Sequence, residues 1–321
     1  EGWANGYKKN ILYWEVWNEP DHMMPRRNED AMWSGTQAQY LEMYAATSRL
    51  FKKEMPYAKI GGFACCSLNR SDKVSYFLDF LTYVKENKLP LDFFSWHIYT
   101  WNTEQLRDSA LLAREKLDLF GFTETESILD EWNYLPNRPT WGVIYEKNGA
   151  QGRREVFSEV EGVVGSAFVA ASLIELTELP VDIATFYDGQ PTSFFGSIFD
   201  CYGVPTKQYY PFIAFRQILE CGEKVFSEAS SKGIYALASS SGDETRVMVT
   251  NFGGAGEVYK FEVAGLDETA VYDYLLYYVD EWRNFEPFLE KKGLEREKLP
   301  NSLYMHENST ALVKIVKKGR K

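Results

Sequence analysis

Tyr13-Trp14-Glu15-Val16-Trp17-Asn18-Glu19-Pro20 is a short apolar run of strand type, closed by a carboxylate and a proline. The proline has no N–H to give and pushes its predecessor toward extended geometry, so Glu19 sits where a strand stops. A helical pattern follows at 36–55, with Tyr40, Leu41, Tyr44, Ala45, Leu50 and Phe51 at helical spacing. The same order recurs downstream. Strand signals lie at 59–65, 91–99, 125–131 and 181–187, and helical ones at 72–88, 104–120, 153–178 and 206–220. Gly61 and Gly62 in the second strand let neighbouring backbone approach closely. Alternation of this kind implies parallel strands with helical crossovers, an α/β class. Five such units are present where a closed (β/α)8 TIM barrel needs eight. A five-stranded open sheet is one solution, but the signatures at the strand ends argue instead that residues 1–222 are the last five units of such a barrel, strands four to eight, with the first three units missing.

After Cys221 the pattern changes to β-type runs at 234–238, 246–251, 259–263, 270–279 and 311–316, separated by turn residues such as Ser241-Gly242-Asp243. They predict a small antiparallel β-sandwich over 223–321. The densely charged run Glu290–Lys298 reads as a solvated helix or loop.

Composition narrows the chemistry. A net charge of −11 over 321 residues argues against a nucleic-acid partner, which needs a basic face. No apolar run reaches the roughly 20 residues of a membrane span, so no membrane partner is expected. Nine Trp and 21 Tyr exceed the usual needs of a core, and aromatic faces suit sugar rings. Cys65, Cys66, Cys201 and Cys221 lack zinc-ribbon spacing and read as small buried hydrophobes of a reducing, cytoplasmic compartment. The chain has no phosphate loop, dinucleotide glycine fingerprint, Gly-x-Ser-x-Gly elbow or His-Glu-x-x-His helix. No cofactor and no metal are expected.

Two carboxylates carry the chemistry. Glu19 closes the first strand, and Ser127-Ile128-Leu129-Asp130-Glu131-Trp132-Asn133 closes another. Two acids at the carboxyl ends of different strands, aimed at one pocket, are the minimal equipment for cleaving a glycosidic bond. A general acid must be protonated near neutral pH, so Glu19 is expected in an apolar wall of Trp14 and Trp17 that raises its pKa. Asn18 is placed to donate to a sugar 2-hydroxyl. On the second strand, two-residue alternation puts Asp130 and Glu131 on opposite faces and leaves open which of them is the nucleophile. Phe93, Ser95, His97 and Tyr99 share one face of a strand between the two. His97 stands out among only three histidines, with His22 and His306, and is expected with Tyr99 in a sugar subsite. Trp132, Tyr187 and Asp188 complete the expected substrate-binding set, with Gln190 beside them. Glu15 shares strand parity with Glu19 and is expected to be structural, with a hydrogen-bonding or cationic partner.

At these residues the chain resembles the retaining (β/α)8 glycoside hydrolases of clan A. It looks most like glycoside hydrolase family 39, the β-xylosidases and α-L-iduronidases. The matching pieces are Glu1-Gly2-Trp3-Ala4-Asn5-Gly6, Trp14–Pro20, Trp96-His97-Ile98-Tyr99, Ile128–Asn133 and Tyr187–Pro191. The resemblance implies that Glu19 is the acid/base on the fourth strand and Glu131 the nucleophile on the seventh. It also implies that His97 and Tyr99 lie on the sixth, with Tyr99 near the nucleophile. Phe186 departs from it, standing where many clan members carry tryptophan. The activity implied is a retaining β-glycosidase of the xylosidase type acting on an oligosaccharide or glycoside. An α-L-arabinofuranosidase or other clan hydrolase is the alternative within the class. A non-catalytic carbohydrate-binding protein or inert fragment is the alternative outside it. An open barrel edge would expose unpaired backbone, so a homo-oligomer or a complementing chain is the expected protein partner.

Overall fold

The computed structural model describes residues 6, 9–22, 32–138, 140–145, 149–191 and 196–320. The opening motif falls outside them except for Gly6. The chain forms two compact units: residues 1–99, 104–132 and 179–186, and residues 100–103, 133–178 and 187–321.

The first unit is built on a parallel sheet whose strands run in sequence order: β1 (Tyr13–Glu15), β2 (Lys59–Cys65), β3 (Phe93–Thr100), β4 (Glu126–Tyr134) and β5 (Ile183–Ala184). Tyr13 pairs with Lys59, Gly61 with Phe93 and Ile128 with Ile183. The connections carry α1 (Gln37–Glu54), α2 (Ser71–Glu86) and α3 (Thr103–Phe120). This is the strand–helix half-barrel that the alternation predicts. Helix α1 starts where Thr36 and Gln39 satisfy each other's backbone N–H groups in a capping box. Helix α2 buries Tyr76, Phe77, Phe80, Leu81 and Val84, the face its spacing predicts. Phe77 stacks on Phe94 at 3.9 Å, and Phe63 meets Phe80 edge-on at 5.0 Å. Gly61 allows the close approach: a Cβ there would lie 2.1 Å from the Phe93 carbonyl oxygen. Strand β1 is shorter than its apolar run. Trp17 and Glu19 take φ of 74° and 44°, which ends the ladder after Glu15.

The second unit holds α4 (Thr140–Tyr145), α5 (Ala150–Val160), α6 (Val163–Leu176) and α7 (Tyr209–Cys221). Its main sheet is antiparallel. The strands are β6 (Glu223–Val225), β7 (Ile234–Ser240), β8 (Glu244–Asn251), β10 (Ala270–Val279), β11 (Asn284–Glu295) and β13 (Ser309–Arg320). A ribbon of β9 (Glu257–Lys260) and β12 (Ser302–Met305) is separate. Two-residue alternation sorts the sheet's faces. Val247, Val249, Val313, Tyr272 and Tyr274 join Leu303 and Met305 of the ribbon in one core. Leu237, Met248 and Leu312 join Ala170, Ile174, Ala214 and Ile218 of α6 and α7 in another.

The sheet is thus covered by a two-stranded ribbon on one face and by helices on the other, not by an equal second sheet. The units also do not divide once near 222, because α6 and α7 bury their apolar faces against the antiparallel strands. Three local expectations change. The helical stretch 153–178 is two helices bent by 43° at a break. A Cβ at Gly162 would sit 2.3 Å from the Ser158 carbonyl oxygen. The charged run 290–298 is mostly strand β11, at the edge of its sheet. Of the cysteines, Cys65 and Cys221 are buried as expected, Cys66 is half-buried and Cys201 exposed. Among the described residues no single helix is long and apolar enough to cross a membrane. The bent pair α5–α6 is so by length and composition, with residues 165–174 buried in the fold.

Candidate active site

The site lies within the first unit, just past β1 and in the carboxyl-terminal halves of β3 and β4. Beyond β1 the chain stays tied to β2, since Val16 N–H donates to Gly61 and Glu19 N–H to Ala64. The buried Tyr40 hydroxyl donates to the Val16 carbonyl at 2.9 Å. After Glu19, buried Asp21 accepts from the Cys66 N–H at 3.2 Å, and the buried Lys73 ammonium donates to the Asp21 carbonyl. These bonds hold the turn that carries Glu19, against the cost of its positive φ.

His97, fully buried on β3, is the hub. Its Nδ1 is 2.8 Å from Glu19 Oε1 and 3.5 Å from Glu131 Oε2, and its Nε2 is 3.4 Å from Asp130 Oδ1. His22 Nδ1 lies 3.3 Å from the other oxygen of Glu19. The Tyr99 hydroxyl donates to Glu131 Oε2 at 2.6 Å. One donor atom each from Glu19, His97 and Glu131 falls within 4.8 Å of the others. Such a spacing would also admit a cation, in competition with the proton on His97.

The charges settle differently from the expectation. Burial alone would raise Glu19, but the hydrogen bonds from His22 and His97 outweigh it and bring its pKa down to about 2. Burial works against a charge on His97, but the Asp130 and Glu19 carboxylates overcome it and push the imidazole up to about 10. Glu131 is raised by burial and by the Glu19 charge, opposed by His97 and the Tyr99 hydroxyl. Among the described residues, the two tryptophans expected to wall Glu19 have their rings engaged with other aromatic side chains. The Trp14 ring meets Phe51 of α1 at 5.7 Å, and Trp17 meets Trp33 at 5.3 Å while donating to the Met32 carbonyl. Among the described residues, His22 and His97 are the side chains that pair with the Glu19 carboxylate.

Glu19, Glu131, His97 and Tyr99 are brought together as expected. Asn18 is exposed in the turn before Glu19. Trp132 is buried, with its ring edge-on to Phe186 at 5.2 Å, and lines no open face. Tyr187 and Asp188 belong to the other unit. There the Tyr187 carbonyl accepts from Asn133 at 2.9 Å, and Asp188 accepts from the Gln190 N–H at 2.9 Å. Sequence reasoning missed His22, three residues beyond Glu19 in a turn where their side chains meet. It also missed the inward reach of Asp130 to His97. Glu15 is exposed as a residue, yet its carboxyl faces Asp130 and Ser95. Desolvation and the Asp130 charge push it up to about 8.

The model of glycosyl hydrolases family 39 matches residues 7–191. A β-xylosidase of Geobacillus stearothermophilus is 37% identical over 87 residues, 27% of this chain and 15% of that protein. The chain thus matches less than a sixth of that curated relative's length. Among solved structures, a glucosidase from Croceicoccus marinus has a TM-score of 0.71 at 23% identity, over 99% of this chain and 71% of that one. A monomeric β-xylosidase from Caulobacter crescentus has a TM-score of 0.70 at 17% identity, over 94% and 69%. These two likenesses concern the fold.

Proposed function

We propose that this chain, which belongs to glycosyl hydrolases family 39, carries the catalytic pair of a retaining β-glycosidase of the xylosidase type. The observation that supports this is the closeness of Glu19 and Glu131, whose donor atoms lie within 4.8 Å of each other and of His97. Retaining enzymes hold their carboxyls about 5–5.5 Å apart, and inverting ones roughly 6.5–9.5 Å to admit a water. In this reading Glu131 attacks the anomeric carbon and forms a glycosyl ester, with Tyr99 orienting its oxygen. The leaving oxygen is protonated through Glu19, which then activates the water that releases the sugar.

Because Glu19 is ionised in the resting site, the proton it delivers is held by its partner. His97 keeps that proton at Nδ1, 2.8 Å from Glu19 Oε1. Esterification of Glu131 removes one of the negative charges that hold it there. The pair then works as one titrating unit.

A second reading follows from the same charges. The lowered pKa of Glu19 and the raised one of Glu131 suit the exchanged roles, with Glu19 as nucleophile and Glu131 as acid. We favour the first assignment because the family pattern puts its acid/base in the Asn18-Glu19-Pro20 string. The activity is tested by following an aryl β-xyloside by NMR. First-formed β-xylose supports the proposal, α-xylose replaces it with inversion, and no turnover removes it. Turnover of an aryl α-L-arabinofuranoside in preference would reassign the sugar.

A further inference from the structure

His306, the histidine left over by the active-site reading, lies in the second unit between two exposed aromatic rings. Its ring is 5.0 Å from Trp282 at 65°, and 4.7 Å from Tyr304 at 84°. Trp282 is 69% exposed and Tyr304 47% exposed. The two outer rings belong to different elements, the β10–β11 hairpin tip and strand β12, so their meeting is not a product of local sequence.

The tip that presents Trp282 is held by side-chain hydrogen bonds. Asp280 is only 1% exposed, and it accepts from the Trp282 and Arg283 N–H groups, both at 2.9 Å, and from the Arg283 guanidinium. From beneath, the Lys207 ammonium donates to the carbonyls of Asp280 at 2.6 Å and Arg283 at 3.1 Å, and lies 3.4 Å from that of Glu281. The His306 carbonyl is held by Asn251 at 3.1 Å and Ser309 at 2.8 Å, and the Tyr304 carbonyl by the Tyr278 hydroxyl at 2.7 Å. The Asp280 bonds close the hairpin as an Asx turn, and the Lys207 bonds fasten that turn to a separate segment of the unit. Rigid support under an exposed aromatic row is what a binding platform requires, because the rings then lose little freedom on contact.

We propose that Trp282, His306 and Tyr304 form a carbohydrate-binding platform separate from the catalytic pair, taking neutral pyranose units of a polysaccharide. Trp282 offers a flat face for the apolar side of a sugar ring, and His306 and the Tyr304 hydroxyl offer hydrogen bonds to its hydroxyls. The exposed carboxylate of Glu281 at the tip disfavours phosphate-bearing ligands. The choice of sugar as ligand class rests on the glycosidase reading; the platform's geometry does not.

The test is native gel electrophoresis of the full chain through soluble xylan or hydroxyethylcellulose, with Glu131→Gln introduced to stop digestion. The parent should be retarded by one of these polymers. Trp282→Ala should weaken that retention by about tenfold or more, and Trp282→Phe should restore part of it. With Glu131 intact, Trp282→Ala should leave aryl-glycoside turnover unchanged. Equal retention of parent and Trp282→Ala, or no retention of the parent, overturns the platform. So does a dimer, seen by light scattering, that Trp282→Ala dissolves, since the rings would then be a protein contact. Retention without turnover would remove the enzymatic reading and leave the platform standing, so the two failures are distinguishable.

Discussion

Replacing His97 by Asn removes the cation at the centre of the site but keeps one N–H directed at Glu19. In the native site the fully buried imidazole faces Glu19, Asp130 and Glu131 at 2.8, 3.4 and 3.5 Å. Breaking a buried ion pair by removing one partner costs about 3–5 kcal/mol, because a charge is left buried and uncompensated. Asn retains one hydrogen bond, so the lower end, about 3 kcal/mol, is expected. The pH dependence has a definite sign. His97 titrates at about 10 in the fold against an ordinary 6.5, so its contribution is complete below 6.5 and is lost as pH rises toward 10. Glu19 titrates at about 2 against 4.5, so its contribution is complete above 4.5 and is lost as pH falls toward 2. The gap between the two proteins should therefore be widest between pH 4.5 and 6.5 and should shrink steadily toward pH 9. Hydrogen exchange of β3 peptides against urea reports this unit alone, which matters in a chain of two compact units. With a slope of about 3 kcal/mol per molar urea, the midpoint should shift by about 1 M at pH 5.5. A gap that stays constant from pH 5 to 9, or one below about 0.5 kcal/mol, would refute the claim that His97 is charged and shared among the carboxylates.

Other substitutions probe single links. Tyr99→Phe deletes the 2.6 Å hydrogen bond to Glu131. A bond to a charged group is worth about 1.5–3 kcal/mol, so kcat/KM for an aryl glycoside should fall roughly 10- to 150-fold, with the melting temperature also lowered because the bond is present in the resting site. Glu19→Ala should cost about 10²- to 10⁴-fold on a substrate with a poor leaving group and far less on a dinitrophenyl glycoside, which needs no acid. Gly61→Ala would drive a Cβ to 2.1 Å from the Phe93 carbonyl oxygen. It should destabilise the first unit by about 1–3 kcal/mol or more, seen as a lowered melting temperature.

The parts of the fold most legible from the sequence are those whose hydrophobic period is set by one uniform environment. Strand β2 is buried almost throughout, helix α2 buries a single stripe, and β10 alternates cleanly. Strand β11 was hidden because an edge strand exposes most of its length. Its lysines, glutamates and Pro287 are what keep such an edge from pairing further, and on paper they resemble a solvated helix or loop. The break between α5 and α6 was hidden because the apolar pattern continues across it, while the constraint is backbone crowding at Gly162. At the site, the strand reading put Glu19, His97, Tyr99 and Glu131 on strands of one parallel sheet, and the structure brings their side chains together. The protonation of Glu19 was not legible. It depends on where Trp14 and Trp17 point, and the positive φ of Trp17 and Glu19 breaks the alternation from which their directions were read.

The central claim is that Glu131 attacks the sugar and Glu19 manages the proton. Its most direct test is to trap the intermediate with an activated 2-deoxy-2-fluoro-β-xyloside and map the labelled peptide by mass spectrometry. The account predicts one sugar attached to Glu131, with Tyr99→Phe slowing its formation. A sugar on Glu19 would exchange the two roles, as the resting charges alone suggest, and labelling of neither carboxylate would contradict the double-displacement account.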